Sequence, residues 1–209
     1  SSDVCSSDLI VQLVPALNDF ARAFPDIDLD VSFTDRVVNL VDEGYDAAIR
    51  AGRPVDSSLV AKKLCGMSII PVASPDYLAQ HGIPMHPADL AAHDCIIDTN
   101  FRDPLQWRFT TPQGVVSVAL RGRLRYSNAE ACLRAAEMGL GIANVPDFVA
   151  AASVSAGRTR PVLAGFSEDF GGIYVLYPPG RHLAAKVRVL VDFLSDRYRN
   201  VTDWAALTH

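Results

Sequence analysis

Three histidines and a cysteine fall close together in the middle of the chain, His81, His86, His93 and Cys95, and these are side chains that hold metals. Their spacings match no zinc pattern, and the Pro-containing stretch around them reads as solvated loop. Asp98 and His93 with a serine would supply the parts of a nucleophilic triad, but the chain has no G-x-S-x-G elbow and no positioned acid–base pair. Gly139-Leu140-Gly141 stands after a helical pattern and before a strand, the reverse of a dinucleotide-binding loop, and reads as a helix stop. No catalytic residue, metal or cofactor is therefore expected.

What remains is a set of polar groups at the ends of inferred strands: Thr34 and Asp35, Arg50 and Gly52, Thr99 and Asn100, Ser127 and Asn128, and Pro146. Ligands of open α/β sheets bind at strand carboxyl ends. Ser127 and Asn128 open a helix, where a hydroxyl, an amide and free backbone N–H groups suit an anion. The set is mostly uncharged and carries one arginine, which suits holding a small organic anion, such as a carboxylate, better than transforming it. Plainer roles stay open beside this one: Thr34 and Ser127 as helix caps, and Arg50 as the ion-pair partner of Asp46 or Asp35.

The elements that must position these groups follow from periodicity. Leu13, Leu17, Phe20, Ala21 and Phe24 form one helical stripe. Pro15 suits only a first turn, so this helix is expected to begin near Gln12 and to end at Pro25. Ile27, Leu29, Val31 and Phe33 alternate with Asp26, Asp28, Asp30 and Ser32, as in a strand with one buried face and an acidic face near a sheet edge. A short helix is expected over 37–43, stopping at Gly44, and a doubly covered strand over 46–50. Two strands over 59–64 and 67–73, turning at Gly66, precede a helix opened by Ser74-Pro75.

A second α/β unit follows. It has a strand at Ile96-Ile97, one at 106–110 ending in the turn Thr111-Pro112-Gln113-Gly114, and a long strand over 115–126. Ser127 to Glu130 forms a capping box for a helix to Met138. A buried strand over 140–145, a helix begun by Pro146, a short strand at Val162-Leu163 and a strand over 173–177 come next. The last helix, 182–199, buries Leu183, Val187, Leu190, Val191, Leu194 and Tyr198.

Bulk properties bound the function. The 209 residues carry 19 Lys and Arg against 24 Asp and Glu, a net charge of −5. That balance argues against a phosphate-gripping face on this chain. Nothing resembles a membrane span, and Ser1 to Asp8 has no secretory pattern and no strand or helix periodicity. It is expected to be a leader foreign to the domain. Four scattered cysteines, Cys5, Cys65, Cys95 and Cys132, read as reduced, mostly buried thiols of a cytoplasmic protein.

The run from Phe24-Pro25-Asp26-Ile27 through Asp35-Arg36-Val37-Val38-Asn39-Leu40 to Gly44-Tyr45-Asp46-Ala47-Ala48-Ile49-Arg50 resembles the effector-binding domain of LysR-type transcription regulators. So do Val72-Ala73-Ser74-Pro75-Asp76-Tyr77-Leu78, the run Ala136 to Ala143, and Pro146. The resemblance covers residues 10 to 199. It implies two wound α/β lobes of the type II periplasmic-binding kind with an effector cleft between them. Lobe one would be 1–72 plus 173–209 and lobe two 73–172. It also implies a small-molecule effector contacted by the polar set above. Homodimerisation would use the Leu13–Phe24 helix and the Ile27–Phe33 strand. Promoter DNA would be reached only through a winged helix-turn-helix outside this chain. The first strand of such a domain also has no counterpart here. A periplasmic-type solute-binding protein is the alternative use of the same fold.

Overall fold

A computed structural model describes residues 6–34, 39–54, 58–166, 168–179, 185–199 and 201. The chain divides into two compact units, one of Asp3–Gly66 with Gly171–Asp203, the other of Met67–Phe170.

In the first unit, helix α1 (Ser6–Ala23) buries Leu9, Leu13, Ala16, Leu17 and Phe20, the period of one helical face. It begins six residues earlier than the position of Pro15 suggested, and Pro15 lies inside it. The bond that Pro15 cannot make would have gone to the carbonyl of Val11, whose residue is exposed to solvent. The stretch Ser6–Asp8 is thus helical, against the expectation that it follows no periodicity. Strand β1 (Ala48–Ala51) pairs antiparallel with β9 (Glu168–Tyr177), Arg50 opposite Tyr174. β9 lies next to β2 (Val60–Ala73). β1 is a half-buried end strand, where a doubly covered parallel strand was expected. Its antiparallel partner needs no helical crossover to cover it.

Of the helix expected over 37–43, residues 37 and 38 lie outside the described residues. The rest is a single turn closed by Gly44 N–H to Val41 O and Tyr45 N–H to Leu40 O. Helix α5 (Ala185–Tyr198) buries Val187, Val191, Leu194 and Tyr198, and Tyr198 Oη donates to Gln12 O on α1 at 2.9 Å. Leu183 lies outside the described residues. Phe20, Phe24 and Phe193 form a three-ring cluster with centroids 4.8 to 6.2 Å apart.

β2 is one strand of 14 residues, where a turn at Gly66 was expected. A lone glycine in a strand need not break it when both flanks are paired. Its second half starts the sheet of the second unit, in the order β2, β7 (Ile142–Pro146), β3 (Cys95–Asp98), β6 (Leu124–Tyr126). β8 (Arg160–Pro161) pairs with β2, just before the Val162-Leu163 where a strand was expected. β7 runs antiparallel to β2, while β3 is parallel to both β7 and β6. β4 (Gln106–Thr111) and β5 (Gly114–Ala119) make a separate hairpin that buries Trp107 and Phe109. The expected long strand over 115–126 is therefore β5 and β6, in different sheets, split at 120–123.

Helix α2 (Pro75–His81) is capped by Ser74, whose Oγ accepts from Tyr77 N–H. Helices α3 (Ala129–Glu137) and α4 (Asp147–Ser155) precede and follow β7. Ile70, Val72, Ile96, Leu133, Ala143 and Val145 make one core of this unit, and Leu90, Ile97, Trp107 and Ile142 belong to another.

His93 departs from the solvated-loop expectation. It is buried, and its Nδ1 lies 3.2 Å from Tyr77 Oη, which accepts from Asp94 N–H. Which of the two gives the proton follows the tautomer of His93. Burial holds the His93 imidazole below its ordinary pKa, His81 adding to the shift and Asp89 and Asp94 opposing it. A depressed folded value means the stabilisation is complete above the ordinary histidine pKa and is lost as pH falls through the folded one. Thermal melts from about pH 8 to about pH 5 should show the melting temperature falling, and falling less steeply in His93→Gln. Equal slopes for the two proteins would remove His93 from the account.

Candidate functional site

Three parallel strands, β7, β3 and β6, end on the same edge of the second unit's sheet, with β3 in the middle. Asp98 stands level with Tyr126, so the residues that follow, Thr99-Asn100 and Ser127-Asn128, emerge side by side. Pro146 closes β7 and is the N-cap of α4. Five of the nine sequence-predicted site residues thus meet at one sheet edge, where the N-termini of α3 and α4 also open.

The bonds there show what each group does. Thr99 donates twice to Tyr126 O, through its N–H at 2.7 Å and its Oγ1 at 3.1 Å. Asn100 Nδ2 donates to Ser127 O at 2.8 Å. These contacts staple the loop after β3 to the loop that starts α3. Asn128, with Ser127 one residue outside, is the N-cap: its Oδ1 accepts from Ala131 N–H at 2.9 Å. The expected Ser127-to-Glu130 capping box is therefore replaced by an Asn cap. Glu130 instead meets Arg134 one turn on, at 2.6 Å. The register shift leaves the Ser127 hydroxyl exposed in front of the helix.

Sequence reasoning missed Asp98 as a member of this edge. Its carboxylate is 6% exposed and accepts from Asn100 N–H at 2.9 Å. Burial raises its pKa, and the Asn100 bond partly offsets that. A raised folded value means ionised Asp98 costs stability as pH rises through that value. The signal was an acidic residue closing an otherwise apolar strand, Cys95-Ile96-Ile97-Asp98.

The other predicted residues belong to the first unit. Arg50 is inside β1, and Gly52 follows it with φ 108°, its N–H bonded to Gly172 O at 2.9 Å. Asp46 is paired with Lys186 at 2.6 Å. Thr34 and Arg50 both line a groove of about 590 Å³ within this unit. Asp35 lies outside the described residues.

The family model described as the LysR substrate binding domain matches residues 5–199. Among curated proteins the chain is similar to the HTH-type transcriptional regulator PtxR of Pseudomonas aeruginosa, 36% identical over 179 residues. That match covers 85% of this chain and 57% of PtxR. The HTH-type transcriptional regulator DmlR of Escherichia coli is 31% identical, with 87% of this chain and 59% of DmlR covered. The chain spans about three fifths of the length of such relatives. Among solved structures, the regulatory domain of CrgA from Neisseria meningitidis superposes with a TM-score of 0.80 at 27% identity, covering 93% of this chain and 96% of that one. Full-length AphB of Vibrio cholerae, a virulence activator, gives 0.77 at 31% identity, with 88% of this chain and 63% of that one covered.

Proposed function

This chain belongs to the LysR substrate-binding domain family, with an α/β fold of the type II periplasmic-binding kind, and on that premise we propose that it senses a small organic anion. The observation that carries the ligand class is the sheet edge where Thr99, Asn100 and Ser127 converge before the N-terminus of α3. Asn128 satisfies the third helical N–H, that of Ala131, and the exposed Ser127 hydroxyl stands just ahead of the helix. A carboxylate there would gain the Ser127 hydroxyl as a donor and the positive end of the helix dipole. Thr34 and Arg50 are the groups we assign to effector contact in the first unit, with Gly52 allowing close backbone approach. We place Asp35 and Pro146 in the same role.

The sensing chain has no acid–base pair at this edge, and its curated relatives are transcriptional regulators, so we read it as a non-catalytic, cytoplasmic sensor. At a net charge of −5, we assign promoter contact to polypeptide beyond this chain. Pairing of two copies would use α1 and segment 27–33. Leu13, Leu17 and Phe20 face the interior of their own unit, so the contact would fall to Ile10 and Val11, which are exposed. Among the described residues no helix is long and apolar enough to cross a membrane.

The test is a thermal-shift and calorimetry screen of small aliphatic and aromatic carboxylates, with the matching neutral amides as controls. A bound acid at about 100 times its Kd should stabilise by about 2.7 kcal/mol. Ser127→Glu, which sets a negative charge before the helix, should weaken that acid at least about tenfold. Binding that is equal for acid and amide, or unchanged in Ser127→Glu, would sink the reading.

A further inference from the structure

The sheet edge of the second unit carries an acceptor that the fold leaves half used. Asp98 ends β3, and strand alternation puts its side chain on the same face as Ile96. That is the face α3 covers, because Ile96 shares a core with Ala129, Cys132 and Leu133 of that helix. β6 ends level with Asp98, and α3 starts just after it, so the carboxylate lies at the N-terminal end of α3. Asp98 is only 6% exposed. Its Oδ1 accepts from Asn100 N–H at 2.9 Å, and its Oδ2 has no hydrogen-bond or ion-pair partner among the described residues. Asn100 in turn holds Ser127 O through Nδ2 at 2.8 Å, so Asp98 and the Ser127 loop belong to one set of bonds.

An acceptor this deep without a donor is costly, because it has lost its hydration and gained no bond in exchange. No cation offsets that cost: burial and the Asn100 N–H act on the Asp98 carboxyl, and no charged neighbour does. A simple carboxylate bound ahead of α3 would also stand close to this one, and like charges repel. A ligand that carries a hydrogen-bond donor beside its carboxylate resolves both difficulties. Resting on the anion reading above, we propose that Asp98 is a specificity-determining residue of this edge, which selects acids that also bear an amino or a hydroxyl group. Asp98 Oδ2 accepts from that group, while the carboxylate of the acid faces Ser127 and the start of α3. A site built round such a bond rejects the analogue that lacks the donor, since the buried acceptor is then left unpaired. An ammonium adds charge to the same bond, so amino acids and hydroxy acids are two sources of one chemistry.

Calorimetric titration of this chain with butanoate and benzoate, each beside its hydroxy- and amino-substituted forms, tests it. A substituted acid should bind at least about tenfold more tightly than its parent acid. A larger gain for the aliphatic amine than for the alcohol supports an ion pair with Asp98, and equal gains support a hydrogen bond alone. Asp98→Asn keeps an acceptor for Asn100 N–H and turns the other side of the group into a donor. It should reduce the preference to within about twofold and bind the parent acid at least as tightly as before, because the like charge is gone. If Asp98→Asn does not fold, the ligand series on the starting protein decides the matter. Acids that bind and are weakened by Ser127→Glu, yet show no preference for the substituted form, overturn this proposal and leave the anion reading standing. So does a preference that survives in Asp98→Asn. Binding of no acid at all overturns both.

Discussion

Phe20→Ala should destabilise the first unit by about 3–5 kcal/mol, the range for deleting a buried ring. Phe20 is 0% exposed and sits between Phe24 at 4.8 Å and Phe193 at 5.4 Å. Its loss removes two aromatic contacts, each about 0.5–1.5 kcal/mol beyond area burial, and opens a cavity joined to the groove beside it. The cavity cannot collapse easily, because the floor beneath Phe20 is held by α5 through Tyr198 Oη and Gln12 O and through Arg197 and Asp19 at 2.9 Å. Exchange rates of amides in α1 and α5 should rise toward those of the unfolded chain before amides in β3 and β7 do. Phe24→Leu, at a half-buried position, should cost about 1 kcal/mol. A Phe20→Ala loss below about 1 kcal/mol in denaturant titration would show that the ring cluster does not hold this unit together.

How much of this was legible in sequence depends on how local the signal is. Ser74-Pro75, the Thr111-to-Gly114 turn and the buried Ile96-Ile97 strand each depend on a few neighbouring residues, and all three stand as expected. The misreadings are tertiary. Nothing local shows that β2 passes straight through Gly66, because the pairing on its flanks is what keeps it extended. Nor can alternation alone show that residues 27–33 pair with no strand among the described residues, since the pattern records where the side chains are meant to go and not which strands assemble beside them. His93 looked like its loop neighbours His81 and His86, and only the Tyr77 hydroxyl folded over it distinguishes it.

At the candidate site several of the positions named from sequence do converge, and the bonds they make there serve the edge itself. Thr99, Asn100, Ser127 and Asn128 do meet, because β3 and β6 are parallel and in register. Yet the Thr99 and Asn100 side chains bond to backbone carbonyls of Tyr126 and Ser127, and Asn128 caps α3. Their polarity builds the edge as much as it offers donors to a ligand. Asp98 entered the sequence reading only beside His93, as part of a nucleophilic triad that has no elbow, and its effect comes from burial that only the assembled sheet creates.

Gly141→Ala should be among the most damaging single-methyl changes in the second unit, where an added Cβ meets backbone. Gly139 and Gly141 looked like one helix stop, but they answer to different constraints. Gly139, φ 74°, ends α3: its N–H bonds to Ala136 O, and Leu140 N–H to Ala135 O. An alanine there meets only Ser74 Oγ at 3.4 Å and should cost about 1 kcal/mol for its backbone conformation. Gly141, φ 145°, lies where β7 passes β3, and a Cβ would stand 2.4 Å from the carbonyl oxygen of Asp94. That oxygen cannot swing aside, because it accepts from Ile142 N–H at 2.9 Å and precedes the Cys95–Ile142 pairing. The methyl must push the two strands apart. Backbone strain of about 1–3 kcal/mol and the lost contact should together reach about 3 kcal/mol or more. The displacement falls at the start of β7, so it carries to the edge where Pro146 flanks Asp98 and Asn100, and carboxylate affinity should fall together with stability. Gly139→Ala should leave that affinity within about twofold. Melting and titrating both variants decides it: if Gly141→Ala melts within about 1 °C of Gly139→Ala, the close approach of β3 and β7 is not what the glycine protects.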